Sequence, residues 1–415
     1  MVVIMRKQFN LTTQILISMI IGILLGLIGG HQIVGIKIIG DIFLRLIQMA
    51  VTPLIFCAVI EAIGSLPAHQ LGRLGFKTAV WFTFTTLFAA IIGLFAGWWF
   101  NPGRGLHLSL SASLTSHLLN HQPSISQTIL DFIPINIFDA LQKGSTIQVI
   151  VFALFLGIVL SRLNHKQQYQ SLLANIQTIN QLLIGLITLV MRFAPIGIGA
   201  LMAWVTATNG AKVILPLSKF LLLFGSSSLI FLFGLFVIII IRTKISFSGI
   251  IYGFSRIIII AMTTTSSAAS LSIEMADAEQ RLGVKKQISQ LVLPLGMALN
   301  SNGLAMYLAL ACVTMSQFYG LSISLIVMFK IVILSIIACL GTVVVPGGGL
   351  VALAIIVPSI GLPIESIGLL AGIDWFSGVF RTVLNVVGDT TTAIMIAADE
   401  NQLDRKVFQL KTKES

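Results

Sequence analysis

The sequence predicts an all-α polytopic membrane protein with eight transmembrane helices and two re-entrant helical hairpins. Of its 415 residues, 56% are hydrophobic and 9% are charged, whereas soluble domains carry roughly 25% charged residues. The mean hydropathy is +1.01, and the apolar residues form long continuous runs. These runs exclude a transmembrane β-barrel, because barrel strands alternate apolar and polar residues.

The apolar runs set the number of crossings, because a helix needs about 20 predominantly apolar residues to span the bilayer. Eight segments are predicted to be spans. In chain order they are 12–27, 35–66, 78–100, 146–163, 176–206, 217–241, 288–315 and 367–398.

Two further apolar segments, 250–275 and 326–362, are interrupted near their midpoints. The first is broken by Thr, Ser and Ala at 263–270, and the second by Gly341-Thr-Val-Val-Val-Pro-Gly-Gly-Gly. Each half has roughly 12–15 residues, which is too short to span. Backbone that reverses within the membrane is tolerated where it is buried in protein or lines an aqueous cavity. Both segments are therefore predicted to be re-entrant hairpins.

The basic residues are scattered in short loops, which excludes nucleic acid as a partner despite the net charge of +11. With eight spans and two hairpins, all the basic clusters fall on one side, and the positive-inside rule makes that side cytoplasmic. We therefore expect a multi-pass protein of the cell membrane with both termini in the cytoplasm. The clusters are Arg6/Lys7, Arg73/Lys77, Arg162/Lys166, Arg242/Lys244, Arg281/Lys285/Lys286 and Arg405/Lys406/Lys411/Lys413.

The two hairpins indicate an internal symmetry. The unit made of the first hairpin and 288–315 has the opposite membrane orientation to the unit made of the second hairpin and 367–398. Such inverted repeats are a common plan of secondary transporters, whose sites lie at the bilayer midplane among broken helices.

Enzymatic chemistry finds no support in the sequence. Cys57, Cys312 and Cys339 are isolated within apolar segments, without metal-ligand spacing. No set of nucleophile, base and acid occurs at membrane depth. We therefore expect neither an enzyme nor an organic cofactor.

Charged and amide side chains within the last predicted span are the strongest sign of a functional site. Each Arg or Asp at the bilayer centre costs roughly 2.5–3.5 kcal/mol on insertion scales, so it normally faces protein or a water-filled cavity. Steps of seven and four residues place Asp374, Arg381 and Asn385 near one helix stripe, with Asp389 at its edge. The stripe is typical of a surface that binds cations and an anionic solute. The alternative for Arg381 is an internal ion pair with Asp374 or Asp389.

A second polar interruption, Asn300-Ser-Asn-Gly, lies at the centre of the span 288–315. An unwound turn there would expose carbonyl oxygens, which are hard ligands suited to Na⁺. The alternative is a kink packed against a neighbouring helix.

Several motifs, in order and with matching spacing, resemble the dicarboxylate/amino acid:cation symporter family, also called the glutamate transporter or sodium:dicarboxylate symporter family. This resemblance covers nearly the whole chain and implies a homotrimer with elevator motion. It implies scaffold and trimerisation helices with part of the transport unit in 1–245, a core transport unit in 246–400 and a cytoplasmic tail in 401–415. The motifs are Asp41-Ile-Phe-Leu-Arg, Thr52-Pro-Leu, Phe100-Asn-Pro-Gly, Met191-Arg-Phe-Ala-Pro-Ile-Gly, the hydroxyl-rich hairpin, Leu293-Pro-Leu-Gly, Val345-Pro-Gly-Gly-Gly and Arg381-Thr with Asn385 and Asp389.

The resemblance also assigns residues to an anionic substrate. It implies that Ser266 and Ser267 at the first hairpin tip bind its main carboxylate together with Asn385, and that Arg381 pairs with its second carboxylate. It makes 345–349 the tip of the second hairpin and an extracellular gate. The full implied substrate set is Ser266, Ser267, Leu304, Val345, Pro346, Gly347, Gly349, Gly378, Arg381, Thr382 and Asn385.

Three Na⁺ sites are implied by the same resemblance, and H⁺ coupling is a further possibility. The first is formed by Asp389 with oxygens of Gly296, Asn300 and Asn385. The second uses backbone oxygens of Ser301, Leu340 and Thr342. The third lies at Thr85 and Thr86.

Departures from the family pattern bear on the substrate. Gly378 stands where amino-acid-transporting members carry the Asp that holds the substrate ammonium, and Leu304 replaces a Thr near the substrate side chain. A buried ammonium without a carboxylate partner is costly, and so is an unpaired Arg381. The sequence therefore favours a dicarboxylate without an amine over glutamate or aspartate. The alternatives are another amino acid and an uncoupled or channel-like, anion-conducting member of the fold.

Other departures bear on the coupled cations. Asn302 replaces an Asp and Phe82 replaces a Tyr at the third Na⁺ site, which predicts weak or absent binding there. Leu308 stands where some members carry a proton-accepting acid, so H⁺ coupling lacks an obvious carrier. Glu61 and Glu274 are expected to be structural acids at helix ends or in the interior.

Overall fold

The computed structural model describes residues 11–65, 73–106, 108, 130, 133–163, 167–321, 323–342, 348–405 and 407. Within these ranges the regular elements are helical, and the only β pairing is an isolated bridge between Val284 and Leu403. The α-helices are α1 (Leu11–Gly29), α2 (Lys37–Gly64), α3 (Arg73–Phe100), α4 (Ile137–Lys143), α5 (Thr146–Leu163), α6 (Gln167–Met191), α7 (Ala194–Asn209), α8 (Ile214–Thr243), α9 (Phe247–Thr264), α10 (Ser267–Gln280), α11 (Lys286–Leu299), α12 (Asn302–Phe318), α13 (Leu325–Thr342), α14 (Gly348–Ser359), α15 (Ile367–Ala371) and α16 (Asp374–Asp399).

The lengths of the helices confirm a multi-pass membrane protein. In the part of the chain that the structure describes, six helical stretches are long and apolar enough to cross a membrane, or seven with a bent pair. One of them, Thr13–Gly64, has 52 residues and joins α1 to α2 through a short 3₁₀ helix. At a rise of about 1.5 Å per residue this stretch exceeds twice the roughly 30 Å thickness of the bilayer core, so it has the length for both predicted spans.

Two predicted spans are divided in the structure. The predicted span 176–206 is interrupted between α6 and α7, where Pro195 lies in the first turn of α7. A proline lacks the N–H that a continuous helix would need but fits the first turn of a new one. The predicted span 367–398 is broken after α15, and the helical segments Ile364–Ala371 and Asp374–Asp399 are bent by 84°. The glycine at 372, a poor helix former, follows α15 directly.

The interruption predicted at 263–270 is a helix–turn–helix. Thr265 ends α9 with a φ of 49°, and the Ser266 side chain caps α10 by accepting from the Ala269 N–H at 3.3 Å. Helices α9 and α10 pack against each other, and so do α13 and α14. The connection 343–347 between α13 and α14, which includes the predicted tip residues Val345, Pro346 and Gly347, lies outside the described residues.

The break predicted in the span 288–315 is also present. Helix α11 ends at Leu299, Asn300 is extended with φ −104° and ψ 121°, and α12 begins at Asn302. Gly93 of α3 allows close packing here, because a Cβ at this position would lie 2.2 Å from the Met306 carbonyl oxygen of α12.

Helix packing divides into two groups. Helices α1, α2, α5, α6 and α7 contact one another, while α16 lies at the centre of α3, α8 and the helices of the first hairpin, α11 and α12. Nearly every residue of α12 and most of α16 are buried. The polar residues of the last span therefore face protein, as their cost in lipid predicts.

Several basic clusters meet at the C-terminal end of α16. Glu400 pairs with Lys77 of α3, and Arg242 lies 2.6 Å from Asp399. The Lys285 N–H donates to the Gln402 carbonyl at 3.2 Å, so the loop after α10 is bound to residues that follow α16. These basic clusters therefore lie at one end of the molecule. The first residues of the predicted tail 401–415 are hydrogen-bonded to the loop after α10.

Candidate functional site

A cavity of about 380 Å³ lies between the first hairpin tip, the start of α12, the start of α14 and the first half of α16. This volume is in the usual range for small-molecule sites, roughly 300–1,000 Å³. All of the predicted substrate residues within the described ranges line it. They are Ser266, Ser267, Leu304, Gly349, Gly378, Arg381, Thr382 and Asn385.

An ion pair dominates the charge of the cavity. Arg381 Nη1 lies 3.0 Å from Asp374 Oδ1, and Arg381 Nη2 donates to the Asp374 carbonyl at 3.2 Å. The guanidinium also lies 4.6 Å from the centre of the Tyr307 ring, a cation–π distance. The internal ion pair considered for Arg381 is therefore present with Asp374.

This pair is open to the cavity. The side chains of Arg381 and Asp374 are 11% and 9% exposed, and both line the cavity wall. Neither Arg381 Nη1 nor Asp374 Oδ1 has a hydrogen bond of good geometry to another described residue. These two atoms are themselves buried, so a ligand reaches them only when a neighbouring group moves.

Two glycines shape the space around the ion pair. A Cβ at Gly349 would lie 1.5 Å from Arg381 Nη1 and 2.2 Å from Asp374 Oδ1, so the start of α14 lies directly against the pair. Among the described residues, a Cβ at Gly378 would have only Arg381 Nη2 within 4 Å, at 3.3 Å. The space that an aspartate side chain at position 378 would occupy is therefore open among the described residues.

Residues of the first hairpin also line the cavity. Ser266, Ser267 and Ala268 line it at the N-terminus of α10. The first turn of a helix carries unpaired N–H groups and the positive end of the helix dipole, which together favour a carboxylate. Asn385 connects this region to α12, because its Oδ1 accepts from the Gly303 N–H at 2.8 Å.

Asp389 lies deeper in the protein, on the same helix as Arg381. It is 1% exposed, and its Oδ1 accepts from Asn300 Nδ2 at 2.7 Å. Its Oδ2 has no hydrogen-bond partner among the described residues. Gly296 makes room for this carboxylate, since a Cβ there would lie 2.5 Å from it. Gly296, Asn300 and Asp389 are thus gathered as predicted, and an unpaired buried carboxylate oxygen among other oxygen donors suits a hard cation.

Polar contacts from α3 distinguish the two neighbouring threonines. Thr86 Oγ1 lies 3.0 Å from Asn300 Oδ1 and 3.1 Å from Asn302 Oδ1. Thr85 Oγ1 instead donates to carbonyls of its own helix. Of the pair predicted at the third Na⁺ site, Thr86 is therefore the residue that reaches the broken span.

The predicted second Na⁺ site is described only in part. The Ser301 carbonyl accepts a weak contact from Cys339 Sγ at 3.6 Å, which brings α13 to the broken span. Leu340 and Thr342 are in the last turn of α13, and their side chains lie outside the description.

Glu274 is a buried acid for which sequence reasoning favoured a structural role. It is 1% exposed, and its Oε1 accepts from Thr390 Oγ1 at 2.9 Å. Thr390 directly follows Asp389, so Glu274 contacts the turn of α16 that carries this carboxylate. The position of Glu274 in an apolar segment was the feature of the sequence that could have indicated a functional role. Its proximity to Asp389, the predicted cation ligand, depends on the packing of α10 on α16.

The architecture defines a class of protein. A helical hairpin, a broken span and a buried ion pair surround one solute-sized cavity inside a multi-pass membrane protein, which is the plan of a secondary transporter. The chain matches the family model of the sodium:dicarboxylate symporter family over residues 11–399, and it belongs to that family. The family and its relatives are transporters and not enzymes.

Characterised relatives cover almost the whole chain. A proton/sodium-glutamate symport protein of Bacillus caldotenax is 30% identical over 96% of this chain and 97% of its own length. A proton/glutamate-aspartate symporter of Escherichia coli is 30% identical over 96% of this chain and 95% of its own. C4-dicarboxylate transport protein 1 of Ralstonia nicotianae is 30% identical over 97% and 95%.

Proposed function

We propose that the protein is a secondary active symporter that couples uptake of a small dicarboxylate or acidic amino acid to entry of Na⁺ or H⁺. Relatives of both substrate types, named as symporters or transport proteins, support the class. The observation that carries the proposal is the Arg381 guanidinium at the wall of a cavity that the α10 N-terminus also lines. A guanidinium binds a carboxylate through paired hydrogen bonds, so two anionic groups of one solute have separate partners.

A C4-type dicarboxylate is the first candidate substrate. The open space beside Gly378 contains no carboxylate to hold a substrate ammonium. Such a dicarboxylate would bind one carboxylate at Ser266 and Ser267 and the other at Arg381.

An acidic amino acid is the second candidate, and one observation favours it. The Asp374 carboxylate lines the cavity one helical turn before Gly378. An ammonium bound there would share Asp374 with Arg381, which offsets the cost of burying the amine.

Coupling to a cation follows from the charge at Asp389. A carboxylate with 1% exposure and one unpartnered oxygen is costly when ionised, and a bound cation removes that cost. We propose Na⁺ at Asp389 with Gly296, Asn300 and Asn385, while Ser301, Leu340 and Thr342 remain the proposal for a second site. The Gly303–Asn385 hydrogen bond connects the broken span to the substrate cavity, so the two sites share a structural element.

For the transport motion, we propose an elevator within a homotrimer. The packing supports it, since α1, α2, α5, α6 and α7 form one group and the helices around α16 form another. The first group would be the fixed scaffold in 1–245 and the second would carry the substrate, with its core in 246–400. Both chain ends would be cytoplasmic.

The test uses purified full-length protein in liposomes, with Na⁺ and H⁺ gradients imposed separately. Labelled succinate-type dicarboxylates, aspartate, glutamate and a neutral amino acid are offered in turn. We expect gradient-driven accumulation of a dicarboxylate or acidic amino acid, and loss of accumulation in Arg381→Ala. Flux that ignores both gradients would instead identify an uncoupled or channel-like protein.

A further inference from the structure

Two buried carboxylates come together where the first hairpin packs on α16. Glu274 of α10 and Asp389 of α16 are each 1% exposed. Glu274 is bound by the hydroxyl of Thr390, the residue that follows Asp389, at 2.9 Å. Helix α10 packs on α16, so the two acids lie on elements that contact each other.

Other buried acids in the same region have basic partners. Asp277, one turn after Glu274 on α10, is 0% exposed and lies 3.4 Å from Arg256 and 3.6 Å from Arg281. Neither Glu274 nor Asp389 forms an ion pair with a basic side chain within the described ranges. Burying two uncompensated negative charges is unfavourable, and a bound cation or a proton at each acid removes that cost.

We propose that Glu274 is a second carboxylate of the cation site at Asp389 and that the two acids together bind Na⁺. The unpartnered Oδ2 of Asp389 is a buried acceptor without a donor among the described residues. The available ligands are carboxylate, amide and hydroxyl oxygens, which suit a hard cation. In the described part of the chain, no three or more His, Cys, Asp or Glu residues are arranged so that they could hold a metal ion by themselves, so the amide and hydroxyl oxygens would have to complete the site.

Glu274 also compensates a charge that the sequence lacks. Asn302 is neutral where an acid was expected, and its Oδ1 is occupied by Thr86 Oγ1. Glu274 and Asp389 together give the interior around α16 two carboxylates that can bind cations, even though position 302 is neutral. The inference rests on the proposed function only in taking Na⁺ as the coupled ion.

The experiment measures Na⁺ binding to the full-length protein without substrate. Thermal unfolding of detergent-solubilised protein is followed while NaCl replaces choline chloride at constant ionic strength. A ligand that binds only the folded state raises the unfolding temperature according to its concentration and affinity. The variants are Glu274→Gln, Glu274→Asp and the matched control Asp277→Asn, which removes a paired acid from the same helix.

We expect Glu274→Gln to weaken the apparent Na⁺ affinity by about tenfold or more, as removal of one nearby charge should do. Asp277→Asn should leave that affinity unchanged. If Glu274→Gln does not fold, Glu274→Asp keeps the charge but withdraws it by one methylene, and it should weaken Na⁺ binding to a smaller extent. Wild-type affinity in a folded Glu274 variant would overturn the inference, as would a wild-type protein that responds to Ca²⁺ or to pH but not to Na⁺.

The outcome is independent of the substrate. Accumulation of a dicarboxylate by wild type, with Na⁺ affinity unchanged in Glu274→Gln, would reject the role of Glu274 and keep the proposed function. If Na⁺ binding depends on Glu274 but the protein accumulates none of the offered solutes, the role of Glu274 is supported and the proposed function is rejected.

Discussion

Arg381 Nη1 and Asp374 Oδ1 lie 3.0 Å apart at the wall of the solute cavity, seven residues apart on one helix. The pair offsets the guanidinium charge while the cavity is without an anion, so Arg381 is not left uncompensated. Tyr307 supports the guanidinium from the other side through its ring. A substrate carboxylate must therefore share Arg381 with Asp374, and this competition gives the first prediction.

Asp374→Asn should change the preference between substrates. Loss of the carboxylate leaves Arg381 to the substrate, so we expect amine-free dicarboxylates to bind about three- to tenfold more tightly. An acidic amino acid should lose affinity, because the variant removes the acceptor for its ammonium. Competition against one labelled substrate measures both changes. A uniform loss for all solutes would assign Asp374 a purely structural role.

Gly378→Asp should favour acidic amino acids. The added side chain would enter the open space that has only Arg381 Nη2 nearby, and it would supply a partner for an ammonium. A charged hydrogen bond of about 1.5–3 kcal/mol corresponds to roughly a tenfold to hundredfold gain for aspartate over succinate. Gly378→Asn is the control of equal size. If Asn and Asp shift the preference equally, the added charge is not the cause.

Gly349→Ala should weaken substrate binding, because its Cβ would lie 1.5 Å from Arg381 Nη1. Overpacking of this kind costs about 1–3 kcal/mol, and we expect a loss of affinity of tenfold or more as the guanidinium is displaced. Gly378→Ala is the matched control, since its Cβ would lie 3.3 Å from Arg381 Nη2, a tight contact that a shift of a few tenths of an ångström relieves. Equal affinities in the two alanine variants, measured by substrate-induced thermal stabilisation, would contradict this geometry.

The local interruptions of the helices were predictable from the sequence. The hydroxyl-rich run ends α9 at Thr265, and the Asn-Ser-Asn-Gly break separates α11 from α12 at Asn300. Both depend on short-range chemistry, namely capping side chains and poor helix formers. The resemblance likewise selected residues that share one cavity, although it is the packing of separate elements that brings Ser266 near Arg381.

Relations between distant elements were not predictable in the same way. The 84° bend before Asp374 carries no proline, and its weak local signal is a glycine at 372. The choice of Thr86 over Thr85 depends on the rotation of α3 against α12. The neighbourhood of Glu274 and Asp389 depends on how α10 lies on α16. These are tertiary facts that neither periodicity nor hydropathy contains.

Acid should weaken the contact between α16 and α3. The hydrogen bond from Lys77 lowers the pKa of Glu400, and the positive charges of Lys77 and Arg73 lower it further. A lowered folded-state pKa stabilises the protein above the unfolded pKa of about 4.3, and this stabilisation is lost as the pH falls through the folded-state value. We expect thermal unfolding temperatures of wild type and Glu400→Gln to differ near neutral pH and to converge as the pH falls below about 4. A difference that persists in acid would exclude this ion pair as its source.

Asp389→Asn should abolish the dependence of uptake on Na⁺. The substitution keeps the shape of the side chain against Gly296 but removes the charge that a cation would neutralise, and its amide oxygen can still accept the hydrogen bond that Asn300 Nδ2 donates to Asp389. Removing one partner of a buried charge interaction costs about 3–5 kcal/mol, so apparent Na⁺ affinity should fall by about a hundredfold or more. Uptake into liposomes is measured over a range of Na⁺ concentrations at fixed membrane potential. Asp277→Asn serves as a control that removes a buried acid paired with Arg256 and Arg281, and it should retain Na⁺-driven uptake. Unchanged Na⁺ activation in Asp389→Asn would refute the assigned role of this carboxylate and would move the coupling site elsewhere in the protein.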